Sequence, residues 1–220
     1  MSRRNAIRGH YEPRISTDRP GYDIVDWAGS GSQIVRFRVL ADSVPLAGKR
    51  LLDIGCGVGD LYGYLSARVP SVRYLGIDLL EPMVRAARQR HPAGEFVVGD
   101  VFGKGSPGHE RALAGELFDV VFASGTFNLN IGNNREFLPG AISRMFELTR
   151  DCVVFNLLHE RARSRHSHCV YFRPQEIADI VSPLAAEFRI LDDYLFNDFT
   201  VIAKAAGRED HEDRNEHRNG

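Results

Sequence analysis

Short apolar runs alternate with amphipathic stretches along most of the chain, from about residue 49 to residue 205. Such runs are typical of buried strands, and stretches whose apolar residues recur every three or four positions are typical of helices that cover a sheet. The predicted strands are Arg50–Ile54, Val72–Ile77, Glu95–Val98, Phe118–Ala123, Cys152–Leu158, Phe188–Leu195 and Phe199–Ala205. The predicted helices are Asp60–Val69, Glu81–Arg90, Arg135–Thr149 and Pro174–Leu184, and Pro139 with Gly140 favours a later start for the third of them.

The order of these elements indicates the fold class. Strands separated by helices of this length predict βαβ units and a mainly parallel α/β sheet. The last two strands have no helix between them, which predicts an antiparallel pair. With 220 residues, of which 43% are hydrophobic, the chain is long enough for one such domain with additions.

The two ends of the chain lack this alternation. Residues 1–19 are polar and aperiodic and are predicted to be irregular. Residues 207–220 are charged and almost free of apolar side chains, which predicts disorder. We therefore expect an N-terminal segment over residues 1–45, a folded domain over residues 46–206 and a disordered tail.

One helix is predicted within the N-terminal segment. Ile34, Phe37 and Leu40 recur at helical spacing, and Ser32 precedes them as a candidate N-cap. Such a helix would cover another part of the protein, and the segment Tyr11–Leu40 could act as a lid that excludes water and external acceptors.

A glycine-rich loop follows the first predicted strand, within Leu51–Asp60. Glycine lets the backbone turn sharply and approach a ligand closely, and doubly wound sheets bind ligands beyond the carboxyl ends of their strands. A glycine triplet alone also fits a dinucleotide-binding loop. Asp53, just before the glycines, disfavours a pyrophosphate, whereas its carboxylate can reach a ligand ammonium or order the loop. Asp78 ends the second strand, where an acid can accept hydrogen bonds from ribose hydroxyls.

These features together resemble the class I S-adenosylmethionine (SAM)-dependent methyltransferases. The stretches that carry the resemblance are Leu51–Asp60, Tyr74–Met83, Phe96–Val101 and Phe118–Ser124. The resemblance implies a Rossmann-like, seven-stranded doubly wound sheet with an antiparallel last strand and SAM as the cofactor, under a helical N-terminal lid.

The resemblance also implies contacts with the methionine portion of SAM. It places Gly55 and Gly57 beneath that portion and Ser124 near its carboxylate or sulfonium. Asp53 joins this group as a cofactor-binding candidate, with capping of the loop as the alternative.

The remaining cofactor-binding candidates surround the adenosine. The resemblance places Asp78 at the ribose, Leu79 and Met83 on the faces of the adenine, and Asp100 and Val101 at its edge. Ordinary packing is the alternative for Leu79 and Met83, and a turn-forming role is the alternative for Asp100.

The residues after the fourth strand bear on the substrate. Ser124–Asn130 lacks the Asn/Asp-Pro-Pro-Tyr/Phe pattern typical of enzymes that methylate amino groups of DNA or of protein glutamine. The net charge of −1 gives no general attraction to nucleic acid. We therefore expect methyl transfer to a small-molecule acceptor, with no nucleic-acid partner. Holding acceptor, methyl group and sulfur in line supplies much of the rate of such a reaction.

The chain also resembles a narrower branch that includes azetidine-2-carboxylate synthases, which act on SAM alone. In that reaction the amino nitrogen attacks the γ-carbon and methylthioadenosine leaves. The residues that carry this resemblance are Ser32-Gln33 with Arg36-Phe37, Ser124–Asn128, Phe155-Asn156, and Asp193-Tyr194 with Asp198–Thr200.

Such a cyclase needs neutral groups to orient the amine, because a protonated amine cannot attack. The candidate catalytic residues are Asn128, Asn134, Asn156 and Tyr171. Aromatic side chains, with Tyr11, Trp27, Phe127 and Tyr171 as candidates, could attract the sulfonium. If a hydroxyl acceptor must be deprotonated instead, His159, His166 and His168 are candidate bases. A third hypothesis is a SAM-binding protein without turnover.

Other sites and locations are not indicated. Three cysteines do not form a disulfide framework, and the Arg165–Cys169 stretch lacks the separated ligand pairs of a zinc site, so no metal is predicted. No apolar run is long enough to span a bilayer, and the basic N-terminus has no apolar stretch behind it. We expect a cytoplasmic protein that does not bind a membrane.

Overall fold

Parallel strands form the centre of the molecule in the computed structural model, which describes residues 2–16, 18–103, 113 and 117–206. The strands are β1 (Arg50–Ile54), β2 (Arg73–Asp78), β3 (Glu95–Val98), β4 (Phe118–Ala123), β5 (Thr149–Leu158), β6 (Ala185–Leu191) and β7 (Asp198–Ala205). They form one seven-stranded sheet in the order β3-β2-β1-β4-β5-β7-β6. Strand β7 pairs antiparallel with both β5 and β6, and the other pairings are parallel. The predicted fold class is confirmed.

Helices lie before the sheet and between its strands. They are α1 (Arg3–Tyr11), α2 (Gly21–Ile24), α3 (Ser30–Ser43), α4 (Asp60–Ser66), α5 (Glu81–Arg90), α6 (Asn134–Leu148) and α7 (Pro174–Val181). A short 3₁₀ turn, Glu12–Arg14, follows α1. No helix in the described ranges is long and apolar enough to cross a membrane.

Strand β1 shows why the pattern predicted the sheet well. Leu51 and Leu52 point to opposite faces and are fully buried in two different hydrophobic clusters. Both faces of a parallel sheet are covered by helices, so its strands read as continuous apolar runs. Helix α5 was also predicted with correct ends, because Pro82 lies in its first turn and Arg88 and Arg90 lie in its last.

The prediction that residues 1–19 are irregular was wrong, because Arg3–Tyr11 forms α1. The hydroxyl oxygen of Ser2 accepts a hydrogen bond from the Asn5 N–H and caps the helix. Ile7 and Tyr11, one turn apart, pack against a cluster formed by Ile24, Val58, Leu80 and Met83. Two apolar contacts are too few to produce a visible period in the sequence.

Helix α3 starts earlier than predicted and turns a different face inward. It begins at Ser30 after an N-cap at Gly29, and Ser32 donates its hydroxyl to the Gly29 carbonyl instead of capping the helix. The buried positions are Gln33, Arg36, Phe37 and Leu40, whereas Ile34 is 39% exposed. Two of the four buried positions of this helix are polar, so the buried face does not show up as a period of apolar residues in the sequence.

Pro139 and Gly140 do not delay α6, which begins at Asn134. Proline inside a helix removes one backbone hydrogen bond. The neighbouring residues Leu138, Ala141 and Ile142 are buried against the sheet, and their burial holds the helix in place despite this loss. The predicted disordered tail, 207–220, lies outside the described residues.

Candidate active site

A cavity lies at the carboxyl ends of β1, β2, β3 and β4, on one side of the sheet. The loops after these strands contribute Gly55, Gly57, Asp78, Leu79, Gly99, Asp100, Val101, Ser124 and Gly125. Residues of the N-terminal segment close the opposite wall, namely Arg3, Ile7, Tyr11, Val25 and Trp27. The carboxyl end of a doubly wound sheet is where such folds bind ligands.

The glycine loop and the end of β2 are joined by backbone hydrogen bonds to one carboxylate. Asp78 accepts from the N–H of Gly57 at 3.0 Å and from the N–H of Leu80 at 2.9 Å. Gly55 and Gly57 have φ angles of 79° and 54°, which favour glycine. Burial raises the pKa of the Asp78 carboxyl, and the hydrogen bonds from the backbone lower it by less. The loop therefore presents a fixed acceptor to the cavity.

Close approach of the loops is a second reason for glycine at these positions. A Cβ on Gly55 would lie 2.5 Å from the Thr126 hydroxyl, which itself donates to the Ile54 carbonyl at 2.8 Å. A Cβ on Gly57 would lie 2.8 Å from a methyl carbon of Val25. The glycine loop is thus packed between the loop after β4 and the N-terminal segment.

Ser124 stands out among the polar groups of the cavity. Its hydroxyl oxygen is buried and, among the residues that the structure describes, has no hydrogen-bond partner. Buried polar atoms are almost always hydrogen-bonded, so an exception calls for a partner of another kind. A polar ligand in the cavity would supply one.

The N-terminal helix closes over the cavity through Arg3. Its guanidinium forms an ion pair with Asp100 and lies 5.0 Å from the centre of the Phe137 ring and 5.9 Å from that of Phe102. Met83 is buried in the cluster that receives Ile7 from the same helix. Residues of the N-terminal segment therefore form part of the cavity wall, and their function as a lid stays a prediction.

Asp53 is placed differently from the expectation. Its carboxylate does not line the cavity and instead accepts a hydrogen bond from the Tyr74 hydroxyl at 2.6 Å, on the face of the sheet packed by α4. Burial raises the pKa of Asp53 to about 7, the Tyr74 hydrogen bond opposes this rise, and the charge of Asp78 adds to it. The contact with a ligand ammonium has no support in this geometry, because side chains on a strand alternate between faces.

The side-chain amides predicted to be catalytic have protein partners. Asn134 accepts from the N–H of Ile131 at 2.9 Å and donates to the carbonyl of Leu129 at 2.7 Å. Asn128 accepts from the N–H of Leu158 at 3.3 Å and does not line this cavity. Asn134 lines the first cavity and Asn128 lines the second. Each amide is also bonded to the backbone, and a catalytic role for either residue stays a prediction.

The side chains of Tyr171 and Asn156 are also hydrogen-bonded to other groups of the protein. The Tyr171 hydroxyl accepts from the N–H of His166 at 2.9 Å. Asn156 accepts from the N–H of Gly125 at 2.9 Å and donates to Asp198 at 3.1 Å. Neither side chain lines the first cavity, and Asn156 acts on it through the Gly125 backbone.

A buried ion pair that sequence reasoning missed supports this loop. Arg36 and Asp198 are 2% and 0% exposed, and the guanidinium approaches the carboxylate at 2.5 Å and 3.0 Å. The Arg36 guanidinium also lies 3.9 Å from the centre of the Trp27 ring, against which a Cβ on Gly125 would clash at 2.7 Å. The signal available in the sequence was an arginine one turn before Leu40, on the buried stripe of α3.

A second, larger cavity adjoins the first. The two share Tyr11, Val25, Trp27, Gly125 and Leu129. Polar side chains on the opposite wall of the second cavity come mainly from one segment and include Arg163, Ser164, His166, His168 and Tyr171. This arrangement provides adjacent spaces for two ligands, or for one ligand and its reaction partner.

Comparison with known proteins agrees with this geometry. Residues 51–151 match the model of a family described as a methyltransferase domain. The match covers slightly less than half of the 220-residue chain. The chain is 33% identical over 97 residues to a trans-aconitate 2-methyltransferase from Paracidovorax citrulli (strain AAC00-1), and the aligned region covers 44% of this chain and 35% of that protein. The chain thus spans about a third of the length of that relative.

Two further similarities extend over more of the chain. It is 28% identical over 173 residues to a demethylmenaquinone methyltransferase from Roseiflexus sp. (strain RS-1), covering 74% of this chain and 67% of that protein. The crystal structure of a magnesium protoporphyrin IX methyltransferase from Synechocystis PCC 6803 with bound SAM superposes with a TM-score of 0.63 at 17% identity, covering 94% of this chain and 98% of that chain. At this identity the likeness is one of fold.

Proposed function

We propose that this chain is a class I SAM-dependent methyltransferase that binds SAM in the first cavity and transfers its methyl group to a small-molecule acceptor held in the second. The observation that carries the proposal is the fixed Asp78 carboxylate beside the glycine loop, facing a cavity that also contains the unpartnered Ser124 hydroxyl. A ribose supplies hydroxyl donors for Asp78, and the methionine portion supplies a partner for Ser124.

The rest of the cavity favours a nucleoside with a cationic side arm and disfavours a cofactor with a pyrophosphate. Apolar side chains of Leu79, Met83 and Val101 line the part that an adenine would occupy. Asp78 contributes a carboxylate where a pyrophosphate requires positive potential, and the positive charge of Arg3 in the same cavity is paired with Asp100. A sulfonium and an ammonium are compatible with this charge.

The chain's own residues position the reactants. Trp27 and Gly125 lie where the two cavities meet, so an acceptor in the second cavity would approach the methyl group there. Asn156 fixes the Gly125 backbone, and the N-terminal segment covers the junction. Alignment of this kind supplies several kcal/mol of the barrier reduction in bimolecular reactions, about 7–11 kcal/mol in the best cases. SAM supplies the electrophilic methyl group.

The names of the relatives guide the choice of acceptor. They include a trans-aconitate 2-methyltransferase and a malonyl-[acyl-carrier protein] O-methyltransferase. Arg163, His166 and His168 line the second cavity and are compatible with an anionic acceptor. We therefore include small carboxylic acids, with trans-aconitate among them, in the acceptor set. No nucleic-acid acceptor and a cytoplasmic location remain predictions from the sequence.

Product analysis tests the proposal. The purified chain is incubated with SAM alone and with each acceptor, and the products are separated by mass spectrometry. S-adenosylhomocysteine that forms only with an acceptor, together with the methylated acceptor, supports methyl transfer. Formation of methylthioadenosine and azetidine-2-carboxylate from SAM alone, above the spontaneous background, would refute methyl transfer and support the cyclase reaction. Saturable SAM binding with no product across the set would replace methyl transfer with a SAM-binding role without turnover.

A further inference from the structure

Three metal-ligating side chains converge on the wall of the second cavity, away from the SAM site. They are His10 at the end of α1, Asp26 after α2, and His168 in the segment before α7. The Nε2 atoms of His10 and His168 lie 2.9 Å and 3.2 Å from the same Asp26 oxygen, Oδ2. All three ligand atoms lie within 4.8 Å of one another.

These separations match those around a bound transition metal ion. Zinc binds histidine nitrogen and carboxylate oxygen at about 2.0–2.2 Å, so ligand atoms in tetrahedral or octahedral arrangements lie roughly 2.9–3.5 Å apart. The 2.9 Å contact of His10 is also a hydrogen bond with Asp26, and the 3.2 Å contact of His168 is an ion-pair distance. The same placement of both nitrogen–oxygen pairs suits an ion shared by the three side chains.

The surroundings of Asp26 leave one oxygen for an ion. Arg14 approaches the other oxygen, Oδ1, at 3.0 Å. Metal-binding carboxylates are commonly hydrogen-bonded in this way by groups that do not touch the metal. Asp26 also has a φ of 62°, a conformation that costs energy for most residues with a side chain and that clusters at functional sites.

We propose that His10, Asp26 and His168 form a site for a divalent transition metal ion, with a donor set that suits Zn²⁺ and Fe²⁺. Two imidazoles and one carboxylate leave at least one coordination position open, as in catalytic rather than closed structural zinc sites. Because His10 and His168 belong to different segments, a bound ion ties the N-terminal helix to the wall of the second cavity. This cluster has no signature in the sequence, because His10 and Asp26 lie far along the chain from His168.

The test measures metal binding directly and does not depend on SAM or on turnover. The chelator-treated full chain is titrated with Co²⁺ by visible absorption and with Zn²⁺ by calorimetry. We expect one ion per chain, with d–d absorption of Co²⁺ bound to nitrogen and oxygen. Asp26→Asn and His168→Ala are expected to weaken binding at least about tenfold, the lower end of what even indirect neighbours of a metal contribute. Asparagine tolerates a positive φ, so Asp26→Asn preserves the backbone.

Two control variants separate this cluster from its neighbours. His166→Ala removes an imidazole that stacks on His168 with ring centres 5.4 Å apart and lines the same cavity. Cys169→Ser removes the adjacent thiol. Both are expected to retain wild-type metal affinity, and circular dichroism checks the fold of every variant. Absence of binding to the wild type, or equal affinity in the wild type, Asp26→Asn and His168→Ala, would overturn the proposal. A chain that binds zinc but not SAM would overturn the proposed function alone.

Discussion

Replacing Arg36 with methionine removes the cation from the buried ion pair beneath the site. Arg36 and Asp198 are almost completely buried, and Asn156 and Tyr194 hydrogen-bond to the other oxygen of the same carboxylate. Removing one partner of a buried pair typically costs 3–5 kcal/mol, because a charge remains without compensation. Since the two hydrogen bonds remain, we expect Arg36→Met to lower the free energy of unfolding by about 3 kcal/mol.

The assay is urea denaturation at pH 7, followed by circular dichroism. Asp198→Asn and the double variant complete a double-mutant cycle, which isolates the coupling between the two side chains. We expect the double variant to be more stable than Arg36→Met, because no buried charge is left. Burial already raises the pKa of Asp198 in the wild type, and loss of Arg36 raises it further. The destabilisation of Arg36→Met therefore shrinks as the pH falls and Asp198 becomes protonated.

A destabilisation below about 1 kcal/mol would refute this reasoning, since that is the range of exposed ion pairs. The reasoning would also be refuted if the loss of stability in the double variant equalled the sum of the losses in the two single variants, because the side chains would then not be coupled. Lysine at position 36 provides a matched control, because it keeps the charge and loses the planar two-pronged contact. We expect Arg36→Lys to be intermediate between the wild type and Arg36→Met.

Three further predictions concern the glycine loop, the carboxylate behind it and the lid. Gly57→Ala places a side chain at a φ of 54° and against Val25, so we expect a loss of about 1–2 kcal/mol in stability by urea denaturation, with unchanged stability contradicting the tight approach. The Asp53 pKa of about 7 lies above its ordinary value of 3.8, so the folded state favours the protonated form. The contribution of Asp53 to the free energy of unfolding is complete below about pH 3.8 and is lost as the pH rises through 7. The loss amounts to at most about 4 kcal/mol. Asp53→Asn is expected to lack this part of the pH dependence of unfolding. Arg3→Ala removes the ion pair with Asp100 and is expected to speed proteolysis of the N-terminal segment, and an unchanged cleavage rate would argue against the lid contact.

The central sheet was predictable because burial on both faces leaves a direct mark on the sequence. Leu51 and Leu52 are adjacent and both fully buried, which is the signature of a strand covered on two sides. The N-terminal helix left no such mark. Ile7 and Tyr11 are its contacts with the hydrophobic cluster, and their partners lie in distant parts of the chain. Tertiary contacts of this kind decide local structure without appearing in local periodicity.

In the candidate site, too, some residues are marked by the local sequence and others depend on tertiary contacts. Gly57 and Asp78 were found because a turn with positive φ and a strand end impose residue types at fixed spacing. The role of Asn134 was not predictable, because a buried amide can serve a ligand or the loop that carries it, and the choice depends on backbone hydrogen bonds. His10 and Asp26 meet His168 only through the fold.

Calorimetric titration of the wild type and of Asp78→Asn with SAM tests the central claim most directly. We expect saturable binding to the wild type and a loss of about 1–3 kcal/mol in Asp78→Asn, the cost of leaving polar groups without a proper partner. Asp53→Asn is the matched control, because it changes the same chemical group two residues before the glycine loop and outside the cavity. Absence of SAM binding to the wild type, or equal affinity in the wild type and Asp78→Asn, would contradict the account.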